Sequence, residues 1–368
     1  MSARELRPRV LMVAPSLRIL GGQAVQAKAL LDRLRATEAI EIEFLPVNPH
    51  LPGVFGRLQE IKYVRTVLTS AAYIASLLTR MRGYDVIHIF SASYFSFILA
   101  ATPAILVARM YGKATILNYR SGEAEDHLQR WPSAIRTIRL VDRIVAPSGY
   151  LVDVFGRFGF HAQSIFNIVD TKRFSFRKRK PWRPLFLSNR NLEPMYNVGC
   201  ILRAFAIIQL EYSDAELTLA GDGSERPRLE ALAQELRLRN VRWLGRVDHR
   251  RMNELYDAAD IYLNSPDIDN MPGSIIEAYA SGIPVVTTDA GGIPYIVRHQ
   301  ETGLLVPRGD FEALASGALR YLRDPELAEA IAARAREECQ QYTWDAVRDQ
   351  WMALYTELAK IHSRKSIE

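Results

Sequence analysis

The sequence predicts an α/β protein built from two doubly wound domains, and three observations support this prediction. The chain has 368 residues, more than one hydrophobic core usually serves. Short apolar segments alternate with helical patterns in both halves, as expected for parallel sheets covered by helices. Between the two series lies a segment rich in basic residues and proline, 175–184, which indicates a linker.

The first series begins with an apolar strand at residues 10–14. A loop containing Gly21 and Gly22 follows, and then a helical pattern over residues 23–34. Glycine lets a backbone approach a phosphate or a sugar closely at a helix N-terminus, so this loop is a candidate ligand contact, although ordinary loops also contain such pairs. Further strands are expected at residues 42–47, 85–89, 115–118 and 143–146.

The second series has the same rhythm. Its apolar segments predict strands at residues 185–188, 217–220, 241–244 and 285–288. Helical patterns cover residues 201–208 and 228–236, and they continue from residue 311 to a final helix around residues 344–358. Two parallel sheets, one in each half, are therefore expected.

One uncharged run of 18 residues, 90–107, has to be weighed as a membrane-spanning helix. It directly follows the strand pattern of residues 86–89 and contains several hydroxyl side chains and Pro103. A buried strand, a Ser-capped turn and a core helix explain it better.

The cysteine content and the N-terminus indicate the compartment. Cys200 and Cys339 are the only cysteines, so there is no disulfide framework, which fits a reducing environment. The first residues run straight into an apolar strand without the features of a signal peptide. We therefore expect a cytoplasmic protein.

The net charge of +6 is distributed unevenly. Residues 1–180 hold 26 Lys and Arg against 13 Asp and Glu, a balance of +13, whereas the remainder holds 21 against 28, a balance of −7. The basic half is expected to face an anionic partner. Nucleic acid is not favoured, because no recognition helix, zinc finger or aromatic-basic pattern is found. Membrane lipid or a phosphate-linked acceptor fits better.

The stretch 56–83 combines basic residues with apolar residues at near-helical spacing. A helix of this kind can lie on an anionic membrane surface. It can equally be a helix that turns its apolar stripe to the core and its arginines to solvent. The sequence leaves both interpretations open, and peripheral attachment to the inner face of the membrane is one prediction.

The most informative segment, residues 267–284, joins an acidic loop to a helix. Pro272 suits the first position of that helix, and Asn270 or Asp269 can cap it. Gly282 followed by Pro284 ends it, so about three turns are expected.

Two carboxylates of this segment, Asp269 and Glu277, lie eight residues apart. Glu277 falls inside the helix, and Asp269 lies at its mouth. Exposed backbone N–H groups and the helix dipole favour an anion such as a diphosphate at that mouth. One carboxylate can then face a ribose while the other faces a sugar.

The segment resembles the signature of retaining glycosyltransferases of family 4, in which two Glu separated by seven residues precede Ala-x-Ala-x-Gly-x-Pro-Val-Val. Asp269 takes the place of the first Glu, and Glu277 that of the second. The resemblance implies the GT-B fold, in which two Rossmann-like domains face a cleft and a C-terminal helix crosses back to the first domain. The implied parts are an acceptor-binding domain (1–174), the linker (175–184), a nucleotide-sugar domain (185–342) and the returning helix (343–368).

The resemblance also implies roles for individual residues. Glu277 would bind the ribose hydroxyls of the donor, Asp269 the transferred sugar and Arg190 the diphosphate, so these three are the expected catalytic residues. The family's Lys near Arg190 is replaced by Tyr196. The expected donor-binding set further contains Gly21, Gly22, Asn191, Gly221, Arg246, Val247, Asn270, Met271, Pro272, Gly273 and Ser274.

Family members often carry an active-site His on a loop of the first domain. The comparable loop, 118–123, has no His, and Arg120 and Glu123 are its polar candidates for the acceptor side. His88, at the end of a strand, can equally be interpreted as a buried core residue and as an active-site residue. No metal is expected at Asp269, because Arg190 and the helix mouth can neutralise a diphosphate, and no other cofactor is implied.

The sequence thus predicts a retaining, metal-independent, hexosyltransferase-type glycosyltransferase. It would move a sugar from a nucleotide-diphosphate sugar to a glycan or lipid-linked acceptor, as in polysaccharide or glycolipid biosynthesis. A nucleotide-sugar epimerase on the same fold and a non-catalytic sugar-nucleotide-binding or scaffold protein are the alternatives.

Overall fold

The computed structural model describes residues 7–17, 22–59 and 61–365, with backbone only for residues 54, 55, 62 and 362–365. The chain forms two compact units. The first contains Met1–Ile168 together with Val347–Glu368, and the second contains Val169–Ala346. The segment 175–184, predicted as a linker, lies within the second unit.

The first unit is built on a six-stranded sheet in which all neighbours are parallel, in the order β2-β1-β3-β4-β5-β6. The five strands predicted in this half are confirmed, and the sixth, a short strand of small and polar residues, was not predicted. The strands are β1 (Arg9–Ala14), β2 (Glu41–Pro46), β3 (Val86–Ser91), β4 (Ala114–Tyr119), β5 (Arg143–Ala146) and β6 (Ala162–Ser164).

Helices cover this sheet. The run 90–107 forms the end of β3, a turn of helix and a core helix, as predicted. The predicted serine cap is wrong, because Ser93, the N-cap residue of the turn, makes no side-chain capping hydrogen bond. In the part of the chain that the structure describes, no helix is both long and apolar enough to cross a membrane. The helices are α1 (Gly22–Arg35), α2 (Gly53–Leu58), α3 (Lys62–Arg80), α4 (Tyr94–Ser96), which continues through one π-helical turn (Phe97–Ala101) into α5 (Thr102–Met110), then α6 (Ala124–Arg130), α7 (Pro132–Ile138) and α8 (Gly149–Arg157).

The last helix of the chain, α15 (Trp344–Lys365), completes the core of the first unit. Its buried residues recur on one helical face. Trp351 and Tyr355 lie against His88 of β3, with ring centroids 5.0 and 5.9 Å away. The buried residues of this face are Val347, Trp351, Leu354, Tyr355 and Leu358.

The second unit has a parallel six-stranded sheet of its own, in the order β12-β11-β10-β7-β8-β9. Strand order therefore reverses between β7 and β10, the arrangement in which doubly wound sheets bind ligands at the carboxyl ends of the strands. The strands are β7 (Leu185–Ser188), β8 (Glu216–Leu219), β9 (Val241–Trp243), β10 (Ile261–Asn264), β11 (Val285–Thr288) and β12 (Leu304–Val306). Of these, β10 and β12 were not predicted.

The helices of this unit alternate with its strands. They are α9 (Val198–Glu211), α10 (Arg226–Glu235), α11 (Met252–Ala258), α12 (Gly273–Ala280), α13 (Phe311–Arg323) and α14 (Pro325–Glu338). Both α11 and α12 matter for the candidate site, since α11 directly precedes β10 and α12 directly follows it along the chain.

A buried carboxylate at the start of β10 organises the segment predicted as a linker. The side chain of Asp260 is fully buried and accepts hydrogen bonds from Arg177 Nη2 at 2.8 Å and Arg183 Nε at 3.0 Å. Arg179, also buried, lies 3.6 Å from the same carboxylate. Three arginines from one short stretch thus share one acid.

Arg179 fastens the ends of two helices. Its guanidinium donates to the carbonyl oxygens of Tyr256 (3.0 Å) and Ala259 (2.9 Å) at the end of α11. It also donates to those of Ser281 (2.9 Å) and Gly282 (2.7 Å) just beyond α12. A buried arginine is well suited to this task, because its N–H groups point in fixed directions.

We predict that Asp260→Asn destabilises the protein strongly, by roughly 3–5 kcal/mol, because it leaves buried arginine charge without a counter-ion. Chemical denaturation of the full chain measures the effect as a lower transition midpoint. Asp257→Asn is the matched control: Asp257 lies 3.3 Å from the same Arg177 but is 60% exposed, so it is expected to cost less than about 1 kcal/mol. Equal midpoints for the two variants would contradict the prediction.

Candidate active site

The residues singled out in the second half of the sequence meet where its sheet reverses. Asn189 and Arg190 directly follow β7, and the loop of residues 265–272 directly follows β10 and leads into α12. The carboxyl ends of β7 and β10 are neighbours, because the two strands pair in parallel. The chain therefore brings both segments to the point at which ligands bind in such sheets.

The start of α12 corrects the prediction. The helix begins at Gly273, Pro272 is its N-cap residue rather than its first residue, and no side chain caps it. Asp269 does not cap the helix, because its carboxylate is bound by Arg190. The helix also has only about two turns instead of the three predicted. Its end is as predicted: Gly282 has φ +70° and donates to the Tyr279 carbonyl at 3.1 Å.

Arg190 and Asp269 form a close ion pair. Arg190 Nη2 donates to Asp269 Oδ2 at 2.5 Å, and Nη1 donates to Ser274 Oγ at 3.2 Å. The guanidinium carbon lies 4.1 Å from the centre of the Tyr196 ring, a cation–π contact. Burial by itself lowers the pKa of Arg190, but Asp269 outweighs it and the net pKa is raised. Tyr196, in the place of the family's Lys, therefore supports Arg190 instead of adding a second cation.

Glu277 is mostly buried on the inner side of α12. Its Oε2 accepts a hydrogen bond from the Tyr256 hydroxyl at 2.9 Å, and its Oε1 lies 3.9 Å from His249 Nε2. Burial raises the pKa of Glu277 to about 7, although the Tyr256 hydrogen bond, Arg173 and Arg190 lower it. Among the described residues, no donor lies within hydrogen-bond distance of Oε1. Glu277 therefore has a free acceptor and titrates near neutral pH.

A chain of hydrogen bonds holds Tyr256 in place. Tyr262 Oη donates to Asn189 Oδ1 at 2.6 Å, and Asn189 Nδ2 donates to Tyr256 Oη at 2.8 Å. The Tyr256 hydrogen is shared between Glu277 and the Ser274 carbonyl, which is 3.0 Å away. The sequence did not point to Asn189, Tyr256 or Tyr262, because a tyrosine among apolar neighbours in a helix or strand reads as core.

Two glycines let the loop after β8 approach the segment after β7. A Cβ atom on Gly221 would lie 2.1 Å from the Arg190 carbonyl oxygen, and one on Gly223 would lie 2.3 Å from that of Leu192. Leu192 N–H donates to the Asp222 carbonyl at 3.1 Å. Gly221 is thus next to Arg190, as expected of a site residue, and its close contact also shapes the loop.

The remaining predicted donor residues of the second unit differ in exposure. Asn270, Met271, Pro272 and Ser274 are buried, whereas Gly273 and Val247 are partly exposed and Asn191 is exposed. Arg246 is largely exposed, and its Nε is 3.7 Å from Asp222 Oδ2. Gly292 was not predicted, yet a Cβ there would lie 2.0 Å from the Asn270 carbonyl oxygen.

The predicted residues of the first half belong to the other unit. Gly21 lies outside the described residues, and Gly22 begins α1. Arg120 directly follows β4, and Glu123 is the N-cap residue of α6 without a side-chain capping bond. Burial, followed by repulsion from Asp126, raises the pKa of Glu123.

His88 is a core residue, in line with the first of the two interpretations given above. It is fully buried, its Nδ1 lies 2.7 Å from Tyr355 Oη, and its Nε2 lies 3.1 Å from Asn118 Nδ2. Burial, together with the nearby Arg120, lowers the pKa of His88 to about 3, so it is neutral. It is not a candidate acid or base.

Comparison with known families now bears on this site. A model of the family described as glycosyl transferases group 1 matches residues 170–338. That range holds Arg190, Asp269 and Glu277 and nearly the whole second unit. Residues 170–338 are thus similar to the group 1 glycosyl transferases.

Two curated relatives show how far the similarity extends. The chain is 31% identical over 243 residues to an exopolysaccharide phosphotransferase of Streptomyces coelicolor, covering 65% of this chain and 25% of that protein. It is 32% identical over 185 residues to a phosphatidyl-myo-inositol mannosyltransferase of Mycobacterium leprae, covering 50% of this chain and 48% of that protein. The chain thus spans from a quarter to about half the length of these two relatives.

A solved structure supports the fold over nearly the whole chain. HepE of Anabaena, crystallised with UDP and glucose, superposes with a TM-score of 0.74 at 18% identity, covering 95% of this chain and 99% of HepE. Two six-stranded parallel sheets with covering helices are the GT-B fold class that the sequence predicted.

We predict that Tyr256→Phe raises the pKa of Glu277 above its wild-type value of about 7, because the carboxylate loses its hydrogen-bond donor. A hydrogen bond to a charged group is worth about 1.5–3 kcal/mol, so the increase should be at least about one pH unit. Titration of carboxyl-labelled glutamate by NMR, with the Glu277 signal assigned from Glu277→Gln, measures it.

The matched control for this titration is Tyr279→Phe. Tyr279 is a buried tyrosine on α12, the helix that carries Glu277. Its hydroxyl donates to Thr302 Oγ1 at 3.2 Å and not to Glu277. That variant should leave the Glu277 titration unchanged. The same midpoint in wild type and Tyr256→Phe would show that the hydroxyl does not control Glu277.

Proposed function

We propose that the protein is a retaining, metal-independent hexosyltransferase that uses a nucleotide-diphosphate sugar and a glycan or lipid-linked acceptor. The observation that carries the proposal is the pairing of two acidic residues with different environments at the reversal of the second sheet. Asp269 faces the Arg190 guanidinium, and Glu277 has a free oxygen beside a tyrosine hydroxyl. The match of residues 170–338 to the group 1 family model supports it.

Glu277 is proposed to bind the ribose of the donor. Its Oε2 is engaged by Tyr256, and its Oε1 is left to accept hydrogen bonds from vicinal hydroxyls. A carboxylate does this best, because hydrogen bonds to a charged acceptor are about twice as strong as neutral ones. The raised pKa of Glu277 means that donor binding would release a proton near neutral pH.

Arg190 and Asp269 are proposed to act on the diphosphate and the sugar. Arg190 donates one N–H to Asp269 and one to Ser274, so further N–H donors remain for phosphate oxygens. Asp269 Oδ1 accepts the Asn270 N–H at 2.8 Å, and both carboxylate oxygens keep lone pairs for sugar hydroxyls. The N–H groups at the start of α12 add positive potential for the diphosphate.

The proposed reaction needs no protein base. The acceptor hydroxyl oxygen forms a bond to the anomeric carbon while the bond from that carbon to the diphosphate oxygen breaks. The nucleoside diphosphate leaves with the electron pair, and its phosphate oxygen takes the acceptor proton. Arg190 and the start of α12 stabilise the charge that develops on this leaving group.

The first unit is proposed to supply the acceptor side, through Arg120 and Glu123. Gly22, which begins α1, is proposed as a further donor contact. We place the protein in the cytoplasm, because Cys200 and Cys339 are both buried and unpaired with each other. The residues after β1 and β4 belong to the carboxyl edge of the first sheet, the ligand-binding edge of such folds.

We expect one sugar nucleotide of a panel to raise the melting temperature of the protein, since ligands stabilise the state they bind. At pH 8, Glu277→Gln should weaken that nucleotide's binding by roughly 1–3 kcal/mol in calorimetry. Near pH 6 the difference should shrink, because the Glu277 carboxyl, with a pKa of about 7, is then protonated in wild type.

Glu254→Gln, an exposed residue 3.2 Å from Arg251, serves as the control and should bind as wild type. Product analysis with added acceptors then separates the alternatives. A new glycoside with retained anomeric configuration supports the proposal, an isomerised sugar nucleotide indicates an epimerase, and binding without turnover indicates a scaffold. Unchanged affinity of Glu277→Gln at pH 8 would remove Glu277 from the donor site.

We also propose that the first unit attaches to an anionic membrane surface. Among the described side chains of α3, Tyr73 and Leu77 alone are buried, whereas the first half of the helix exposes apolar side chains. Tyr63 is 79% exposed and Val67 69%. The apolar surface, which we call the α3–α5 patch, comprises Leu58, Ile61, Tyr63, Val64, Val67, Ile74, Leu78, Phe95, Ile98, Leu99, Leu106 and Met110.

Contacts and charges support one surface of this kind. Tyr73 Oη donates to the Ala100 carbonyl at 2.7 Å, so α3 packs beside the helix that carries the second half of the patch. Arg57, Arg65 and Arg109 lie on the same elements, are exposed and form no ion pair among the described residues. Basic residues beside exposed apolar ones are the pattern of interfacial helices.

We expect the protein to sediment with vesicles that contain phosphatidylglycerol and to be released by high salt. Arg65→Gln with Arg109→Gln should weaken binding roughly tenfold or more, at about 1 kcal/mol per basic residue. Val67→Ser with Phe95→Ser should weaken it by removing apolar contact.

Leu210→Ser is the control, because Leu210 is 88% exposed but belongs to the second unit. It should sediment as wild type. Binding that is absent, or that is independent of lipid charge and salt, would rule out electrostatic attachment. Binding lost equally in the Leu210 variant would show that the α3–α5 patch is not the surface involved.

A further inference from the structure

Arg120 is a cation without a counter-ion at the carboxyl edge of the first sheet. Within the part of the chain that the structure describes, no carboxylate lies at ion-pair distance from its guanidinium. Nη1 donates to Asn118 Oδ1 at 3.3 Å, Nη2 donates to Asn167 Oδ1, and the guanidinium carbon lies 5.3 Å from the centre of the Phe90 ring. All three neighbours are uncharged.

The surroundings of Arg120 stay neutral at physiological pH. Because arginine can only donate, Asn118 must turn its oxygen to Arg120 and its amide nitrogen to His88. His88 Nε2 is then an acceptor, and its Nδ1 carries the proton toward Tyr355. The lowered pKa of His88, about 3, excludes a second charge in this chain of hydrogen bonds.

A desolvated charge without a partner is costly, and proteins normally pair it. Burial lowers the pKa of Arg120 to about 9, so the guanidinium still carries its charge at neutral pH. The described residues accept only two of its five N–H groups. Its side chain is partly exposed, so a ligand can reach the remaining donors. The cation is therefore fixed in position and lacks only an oxyanion.

We infer that Arg120 binds a phosphate group of the acceptor. This inference rests on the proposed transferase function and names the class of its acceptor. A guanidinium with several free N–H groups matches phosphate oxygens, and the half-chain around it has a balance of +13. The phosphate can belong to a soluble sugar or polyol phosphate or to a lipid headgroup.

The first experiment uses the full chain saturated with the sugar nucleotide or UDP that stabilises it most, so that the donor site is filled. Glycerol 3-phosphate is titrated by calorimetry, with glycerol as the uncharged probe. We expect wild type to bind glycerol 3-phosphate and not glycerol. Arg120→Gln should bind it at least tenfold more weakly, while Arg136→Gln, an exposed arginine of the same unit, should bind it as wild type.

Arg120→Lys covers the case in which the Gln variant does not fold. It keeps the charge but loses the planar fork, so its affinity should fall between those of wild type and Arg120→Gln. Equal affinity of wild type for glycerol 3-phosphate and glycerol would overturn the inference, and so would wild-type affinity in both Arg120 variants. A loss of nucleotide affinity in these variants would also overturn it, since Arg120 would then serve the donor.

The second experiment identifies the source of the phosphate. Vesicles of phosphatidylglycerol are added to wild type and Arg120→Gln, both with the α3–α5 patch intact. Weaker vesicle binding in the variant assigns the site to a lipid headgroup, and equal vesicle binding assigns it to a soluble phosphate. If no nucleotide stabilises wild type, the proposed function itself fails. If nucleotide binds and glycerol 3-phosphate does not, only the Arg120 inference fails.

Discussion

The buried Asp260 carboxylate is the constraint on which the second unit depends. It draws three arginines of one segment to the start of β10, and one of them, Arg179, ties the C-terminal ends of α11 and α12 together. Those two helices carry Tyr256 and Glu277, whose hydrogen bond is 2.9 Å long. Arg179 thus binds the backbone of Tyr256 itself and the end of the helix that carries Glu277. A buried salt-bridged cluster therefore fixes the two helices that form the candidate site.

The two acidic residues of the site differ because their partners differ. Asp269 faces a guanidinium that is itself braced by Ser274 and Tyr196, so the pair is balanced within the protein. Glu277 has a neutral hydroxyl as its nearest partner, and burial raises its pKa to about 7. Asp269 is held by the charge of Arg190, whereas burial sets the pKa of Glu277. The candidate site therefore places a fixed ion pair, at the mouth of α12, beside a carboxyl group on that helix that responds to pH.

Sequence patterns predict what depends on period and motif. Most strands follow from apolar runs, whereas Arg190, Asp269 and Glu277 were singled out by the resemblance to family 4 glycosyltransferases. Strand β6 is short and has no apolar run, strand β12 is only three residues long, and β10 directly precedes the loop of the motif. Tyr256 and Asn189 could not be predicted, because their roles depend on the contact of α11 with α12 and β7. In the sequence, Arg179 belongs to a predicted basic linker. Only the fold shows that it lies beside the buried Asp260 carboxylate.

The return of α15 to the first unit makes that unit discontinuous in sequence. Residues 169–346 form a continuous segment that can fold as soon as it leaves the ribosome, since domains fold as units during synthesis. The first 168 residues emerge earlier, but His88 and its neighbours lack their cover until Trp351 and Tyr355 have been made. The core of the first unit can therefore be completed only after the whole second unit has been synthesised.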